Sequence, residues 1–171
     1  TNLETVQAVL DAAIQMKSPV IMQTTEAAIE YAGHKTLFAL MRTAIEERAA
    51  STPVVIHLDH GKHYEMVKDC VQLGYSSVHM DASERPWREN VALTKRAVAL
   101  GHTKGITVQG ELGYLLGYEG MTAIHFTRQL LEKIMTDPDQ AGEFVQKTGI
   151  DTLAVAIGTA HGFFKGRERI D

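Results

Sequence analysis

The chain has 171 residues, with 17 Lys and Arg against 21 Asp and Glu for a formal net charge of -4, and 44% of its residues are hydrophobic. That balance, without a basic run, leaves no electrostatic footprint for nucleic acid or an anionic membrane surface, and no apolar run approaches the roughly 20 residues of a membrane span. The length suits one domain, expected over 1–171. Cys70 is the single cysteine, which excludes an internal disulfide and a multi-cysteine zinc knot and makes a reducing cytoplasm the expected location.

Thr1 and Glu4 stand at capping-box spacing ahead of Leu3, Val6, Leu10 and Ala13, so the first predicted element is a helix. Short apolar runs then alternate with helical patterns. The runs Pro19 to Met22, Pro53 to Ile56, Ser77 to Met80, Ile106 to Val108 and Thr152 to Ile157 predict about five strands buried on both faces, as in a parallel sheet. Between them, Leu37, Leu40, Met41, Ala44 and Ile45 mark one apolar helix stripe, and Tyr64, Val67, Cys70 and Val71 mark another, which places Cys70 in the core. Gly74, Gly101 to Gly105, and Gly149 are predicted to end helices, and Asp137-Pro138 to begin one. This alternation predicts a parallel α/β sheet, either open and doubly wound or closed as a (β/α)8 barrel. The connection from Gly110 to Met135 exceeds an ordinary loop, carries a helical stretch from Thr127 to Met135, and is expected to cover a site.

Polar groups follow several of these runs: Asp59 and His60, Asp81 and Ser83, Glu111, and His161. Each has a plain explanation as a cap or turn residue. In a parallel barrel, however, all strand carboxyl ends open on one face, so residues distant in sequence share one site there. In Val54 to Gly61, pleat alternation predicts that Asp59 and His60 leave the strand in different directions, with Gly61 turning the backbone tightly. Imidazole binds first-row metals, and an adjacent carboxylate suits proton transfer or support of a ligand. His57 would share a metal with His60 only on a helix. The preceding Val-Val-Ile argues for strand, so His57 is expected as a buried, hydrogen-bonded histidine. Glycines around Glu111, and those at Gly158 and Gly162 around His161, permit close approach of a ligand or simply a tight turn. Gly158 to Gly162 is neither a Walker nor a GxGxxG sequence. Lys165 could pair with a phosphate as a point charge, although alone it reads as solvated surface.

Taken together, His57-Leu58-Asp59-His60-Gly61, Asp81-Ala82-Ser83, Glu111-Leu112-Gly113 and Gly158-Thr159-Ala160-His161-Gly162 resemble the class II, metal-dependent fructose-bisphosphate aldolases. The likeness extends through Ser18 to Gln23, Glu89 to Lys95 and Thr136 to Pro138, covering essentially the whole chain in the right order. It implies a TIM barrel and reversible cleavage of fructose 1,6-bisphosphate to dihydroxyacetone phosphate and glyceraldehyde 3-phosphate, in glycolysis and gluconeogenesis. By matching position, His60 and His161 would be catalytic zinc ligands and Asp59 the acid/base at the substrate's C4 hydroxyl. Glu111 and Asp81 would belong to a secondary or alternative metal position, for a second divalent or monovalent cation. Gly162 and Lys165 would lie at the phosphate end of dihydroxyacetone phosphate. The implied chemistry is direct: C3–C4 cleavage leaves an enediolate whose charge a divalent Lewis acid takes up, so no lysine Schiff base is required.

The resemblance also implies a phosphorylated sugar substrate and a homo-oligomer when full length. Tagatose-bisphosphate aldolase shares these motifs and stays open as an alternative, as does a noncatalytic truncated fragment. The family's third zinc histidine belongs to a later His-Gly-Gly-Ser-Gly-like segment, which these 171 residues do not contain, and the opening and closing strands are also lacking. A (β/α)8 barrel takes about 200 residues or more, so the chain is expected to be an incomplete barrel. Thr25 and Ala160 stand where the family has Ser, Ala82 where it has Gly, and Gln109 where it has Glu; none removes a metal ligand. Glu119, in the loop after Gly113, is a candidate for proton transfer at the substrate's C3 face.

Overall fold

The computed structural model describes residues 2–49, 51–115 and 133–159. Five parallel strands carry the architecture: β1 (Val20–Thr25), β2 (Val54–Gly61), β3 (Ser77–Met80), β4 (Thr107–Leu112) and β5 (Thr152–Val155). The helices are α1 (Leu3–Met16), α2 (Glu26–Ala32), α3 (His34–Arg48), α4 (Tyr64–Leu73), α5 (Trp87–His102) and α6 (Pro138–Thr148). The strands pair in their sequence order, β1-β2-β3-β4-β5, each parallel to the next. An open doubly wound sheet reverses its order at a switch point, and these strands do not. Sequential order with a helix between successive strands is the connectivity of a barrel, here over five of its strands.

Local chemistry explains the helix ends, with corrections. Asn2 rather than Thr1 caps α1: its side chain accepts from the Thr5 amide, and the Thr5 side chain accepts from the Asn2 amide. An additional helix, α2, follows β1 directly and is capped by Thr25, whose hydroxyl accepts from the Ala28 amide at 3.3 Å. Asp137 caps α6 ahead of Pro138, and Gly74 and Gly149 end α4 and α6 in the left-handed region, as their positions predict. Gly101 is different. It lies inside α5, where a Cβ would sit 2.6 Å from Val108 Cγ2, so its smallness serves helix-to-strand packing rather than termination.

The core fills the space between sheet and helices. Leu58, Val78, Met80 and Val108 from the strands meet Val67, Cys70, Val71, Met41, Ala97 and Phe144 from the helices, all buried. Burial pushes the Cys70 thiol up to about 12, so it behaves as a small apolar side chain. The opposite face of β2, β3 and β4 carries polar residues instead. No helix among the described residues is long and apolar enough to cross a membrane.

Candidate metal centre

β2 and β4 run further than their apolar runs suggest, through His60 and Glu111, so these residues lie at the last strand positions rather than in the loops beyond, whereas β5 stops at Val155, short of the expected Ile157. Asp81 follows β3 immediately. Parallel pairing in sequence order brings all three to one end of the sheet.

A bulge decides where His60 points. Leu58 pairs with Val78 and Gly61 with Met80, so β2 spends one more residue than β3 across that stretch. His60 absorbs the extra residue at φ 48, in the left-handed region that non-glycine residues seldom adopt. Alternation alone would turn His60 toward the helices. With the bulge, His60 faces the same mouth as Asp59, its Nε2 3.9 Å from Asp59 Oδ1, which corrects the expectation that the two diverge. Gly61 then returns to the helix side, without a positive φ. A Cβ there would stand 2.5 Å from the His79 carbonyl oxygen and 2.9 Å from Val67 Cγ2, so close packing, not a tight turn, requires this glycine.

Asp81 Oδ2 lies 2.7 Å from His60 Nδ1. An ionised carboxylate only accepts, so His60 donates from Nδ1 and carries its lone pair on Nε2. Ser83 supports the other oxygen, donating to Asp81 Oδ1 from its hydroxyl at 2.6 Å and from its amide at 3.2 Å. Burial works against the Asp81 charge, but the hydrogen bonds from His60 and Ser83 outweigh it and hold the carboxyl well below the ordinary range. The same bond to Asp81, opposed by burial and assisted by Asp59 and Glu111, raises the His60 imidazole.

Glu111, its side chain 8% exposed, brings Oε2 to 3.7 Å from His60 Nδ1. Its main chain is pinned from α5: buried Asn90 donates from Nδ2 to the Glu111 carbonyl at 2.9 Å, and Thr94 donates to Asn90 Oδ1 at 3.1 Å. Both lie in the stretch Glu89 to Lys95 that shares the family likeness, but their anchoring role was not read from it, because a polar stripe on a helix normally faces water. His79 is the other residue that sequence reasoning missed. Counting alternate positions along β3 would have found it on the same face as Asp81.

His60, His79, Asp81 and Glu111 each offer a donor atom, all within 4.8 Å of one another. His79 Nε2 is buried with no hydrogen-bond partner among the described residues. Two carboxylates and two imidazoles drawn together in a largely buried site fit a place for a cation, whose charge would offset theirs. Nitrogen and oxygen donors together suit a first-row divalent metal. A second group, His57, Asp59 and His79, also converges. There, His57 Nδ1 is already committed to the Ser77 hydroxyl at 2.8 Å, and burial together with neighbouring His79 lowers the His57 imidazole to about 4. Of the residues singled out from sequence, Asp59, His60, Asp81 and Glu111 thus come together. His161, Gly162, Lys165 and Glu119 lie outside the described residues, as does most of the stretch from Thr127 to Met135.

The family model described as fructose-bisphosphate aldolase class-II matches residues 1–171. A fructose-bisphosphate aldolase of Giardia intestinalis is 44% identical over 170 residues, covering 99% of this chain and 50% of that protein. One from Thermus caldophilus is 44% identical over 168 residues, covering 98% of this chain and 53% of that protein. The crystal structure of the YdjI aldolase from Escherichia coli K12 superposes with a TM-score of 0.81 at 34% identity, over 99% of this chain and 56% of that one. The chain therefore spans about half the length of the relatives it matches.

Proposed function

The chain belongs to the class II fructose-bisphosphate aldolase family, and on that premise we propose that the protein reversibly cleaves fructose 1,6-bisphosphate to dihydroxyacetone phosphate and glyceraldehyde 3-phosphate. The observation that carries this reading is the convergence of Asp59, His60, Asp81 and Glu111 at the carboxyl end of three adjacent strands. Zinc is the cation proposed here, held by His60 through Nε2 and, from outside the described residues, by His161, with Asp81 and Glu111 proposed for a secondary or alternative metal position. Bound there, the cation supplies Lewis-acid stabilisation of the negative charge that develops on substrate oxygens.

The protein's own groups do the rest. Asp81 fixes the His60 ring, so that the imidazole is presented in one tautomer. Asp59, whose side chain remains 27% exposed beside His60, reaches substrate in the mouth and takes or returns the proton of the C4 hydroxyl as the C3–C4 bond breaks or forms. Buried Glu111 keeps its carboxylate at the inner wall. Gly162 and Lys165 are proposed at the phosphate of the three-carbon ketone product. A homo-oligomer in a reducing cytoplasm, acting on a phosphorylated sugar, completes the proposal.

The test is cleavage of fructose and tagatose bisphosphates by the intact protein, with and without EDTA, alongside His60→Ala. Fructose-bisphosphate cleavage abolished by chelation and by the substitution supports the reading. Preference for the tagatose epimer overturns the substrate, and EDTA-resistant turnover overturns the metal dependence.

A further inference from the structure

His79 stands on β3, between the strand that supplies His60 and the strand that supplies Glu111. Its side chain is only 3% exposed, and its ring lies 5.1 Å from that of His60, centroid to centroid. The two ring nitrogens have distinct partners. Nδ1 accepts from the His60 backbone amide at 3.4 Å, and a backbone amide can only donate. Nδ1 therefore carries the lone pair, and the proton of the neutral ring sits on Nε2. That Nε2 is the orphan atom, buried, with Glu111 Oε2 3.3 Å away but not aligned for a hydrogen bond.

We infer that His79 is a positioning residue, which holds the Glu111 carboxylate at the cation through its Nε2–H while its Nδ1 braces the left-handed backbone of His60. The inference rests on the metal-dependent aldolase reading above. It differs from a ligand role. Coordination through Nε2 would move the ring proton to Nδ1, directly against the His60 amide. It also explains why a histidine occupies the middle strand: one rigid ring touches β2 through its backbone and β4 through a carboxylate, so the two donor-bearing strands are fixed relative to one another. A small rotation of the Glu111 carboxylate toward Nε2–H turns the 3.3 Å approach into a charge-assisted hydrogen bond.

The experiment uses the intact, zinc-loaded protein and three readouts. Long-range proton–nitrogen NMR of histidine-labelled protein should place the His79 proton on Nε2; a proton on Nδ1 overturns the inference outright. Zinc affinity, by competition with a chromogenic chelator, should fall about 10–100-fold in His79→Met, which keeps bulk but donates nothing. His79→Gln, whose amide nitrogen can occupy the place of Nε2, should recover most of that loss and leave the absorption spectrum of the cobalt-substituted protein unshifted. Equal weakness of the Gln and Met variants, or a shifted cobalt spectrum in the Gln variant, makes His79 a direct ligand. Wild-type affinity in the Met variant removes its role altogether. If the protein binds zinc yet cleaves neither bisphosphate, the aldolase reading fails while the His79 measurements still decide the positioning role.

Discussion

His60 and Asp81, 21 positions apart in the chain, meet at 2.7 Å through Nδ1 and Oδ2, with Asp81 almost wholly buried and His60 open to the mouth. A buried carboxylate behind a partly exposed imidazole is the arrangement that orients a metal-binding histidine and raises its basicity. Asp81→Ala is therefore expected to weaken zinc binding about 10–100-fold, and Asp81→Asn, which retains an accepting oxygen for Nδ1–H, to weaken it less. Equilibrium zinc competition at fixed pH measures both. Unaltered affinity in the Ala variant would show that the contact does not orient a ligand.

Asp59 should separate from the cation's donors in its response. It sits in the mouth but makes no bond to Asp81 or Glu111 among the described contacts, and His60 is 3.9 Å away. Asp59→Ala is expected to retain zinc while lowering kcat about 100- to 10,000-fold, the range of a lost general acid or base. Metal content by elemental analysis, read beside kcat, checks this. Loss of zinc in step with activity would reassign Asp59 to metal binding.

Gly61 has no spare room. A methyl group there meets the His79 carbonyl, Leu58 Cδ2 and Val67 Cγ2 at 2.5, 2.8 and 2.9 Å, and the first of these is backbone that cannot rotate away. Gly61→Ala should cost about 1–3 kcal/mol of stability through overpacking. It should also disturb His60 next to it. Urea unfolding gives the first quantity; a variant as stable as the parent would mean that the bulge shifts freely.

His57 predicts a pH dependence. Its imidazole is lowered from 6.5 to about 4 in the folded chain, chiefly by burial and by neighbouring His79. Below about pH 6.5 the unfolded chain takes up a proton that the folded one refuses until near pH 4, so folding stability falls as the pH drops through this window. Above it the group contributes no slope. The full effect is on the order of 3 kcal/mol, and His57→Gln should remove it. Unfolding midpoints compared at pH 7 and pH 4.5 test this, and parallel losses in parent and variant would exclude His57 as the origin.

Much of this molecule was legible in its letters. Apolar runs five times over, separated by helical stripes and closed by Gly74 and Gly149, are local consequences of propensity and burial, and they order the parallel strands. Asp59, His60, Asp81 and Glu111 stood out as candidates only as a set, because each alone reads equally well as a cap or turn residue. Strand ends were less legible: polar residues continue β2 and β4 past their apolar stretches, since main-chain pairing with a neighbour, not side-chain character, prolongs a strand.

Direction is a different kind of property. Strict alternation along β2 sends His60 to the helix side, and only the register against β3, with an extra residue between Leu58 and Gly61, turns it into the mouth. His79 likewise acquires its meaning from the strands on either side, which carry the His60 amide and the Glu111 carboxylate to its two nitrogens. Composition and order along the chain determined the elements and supplied the reactive groups. Which groups face one another was decided by pairing between strands, because a side chain's direction in a sheet depends on hydrogen bonds to residues far away in sequence.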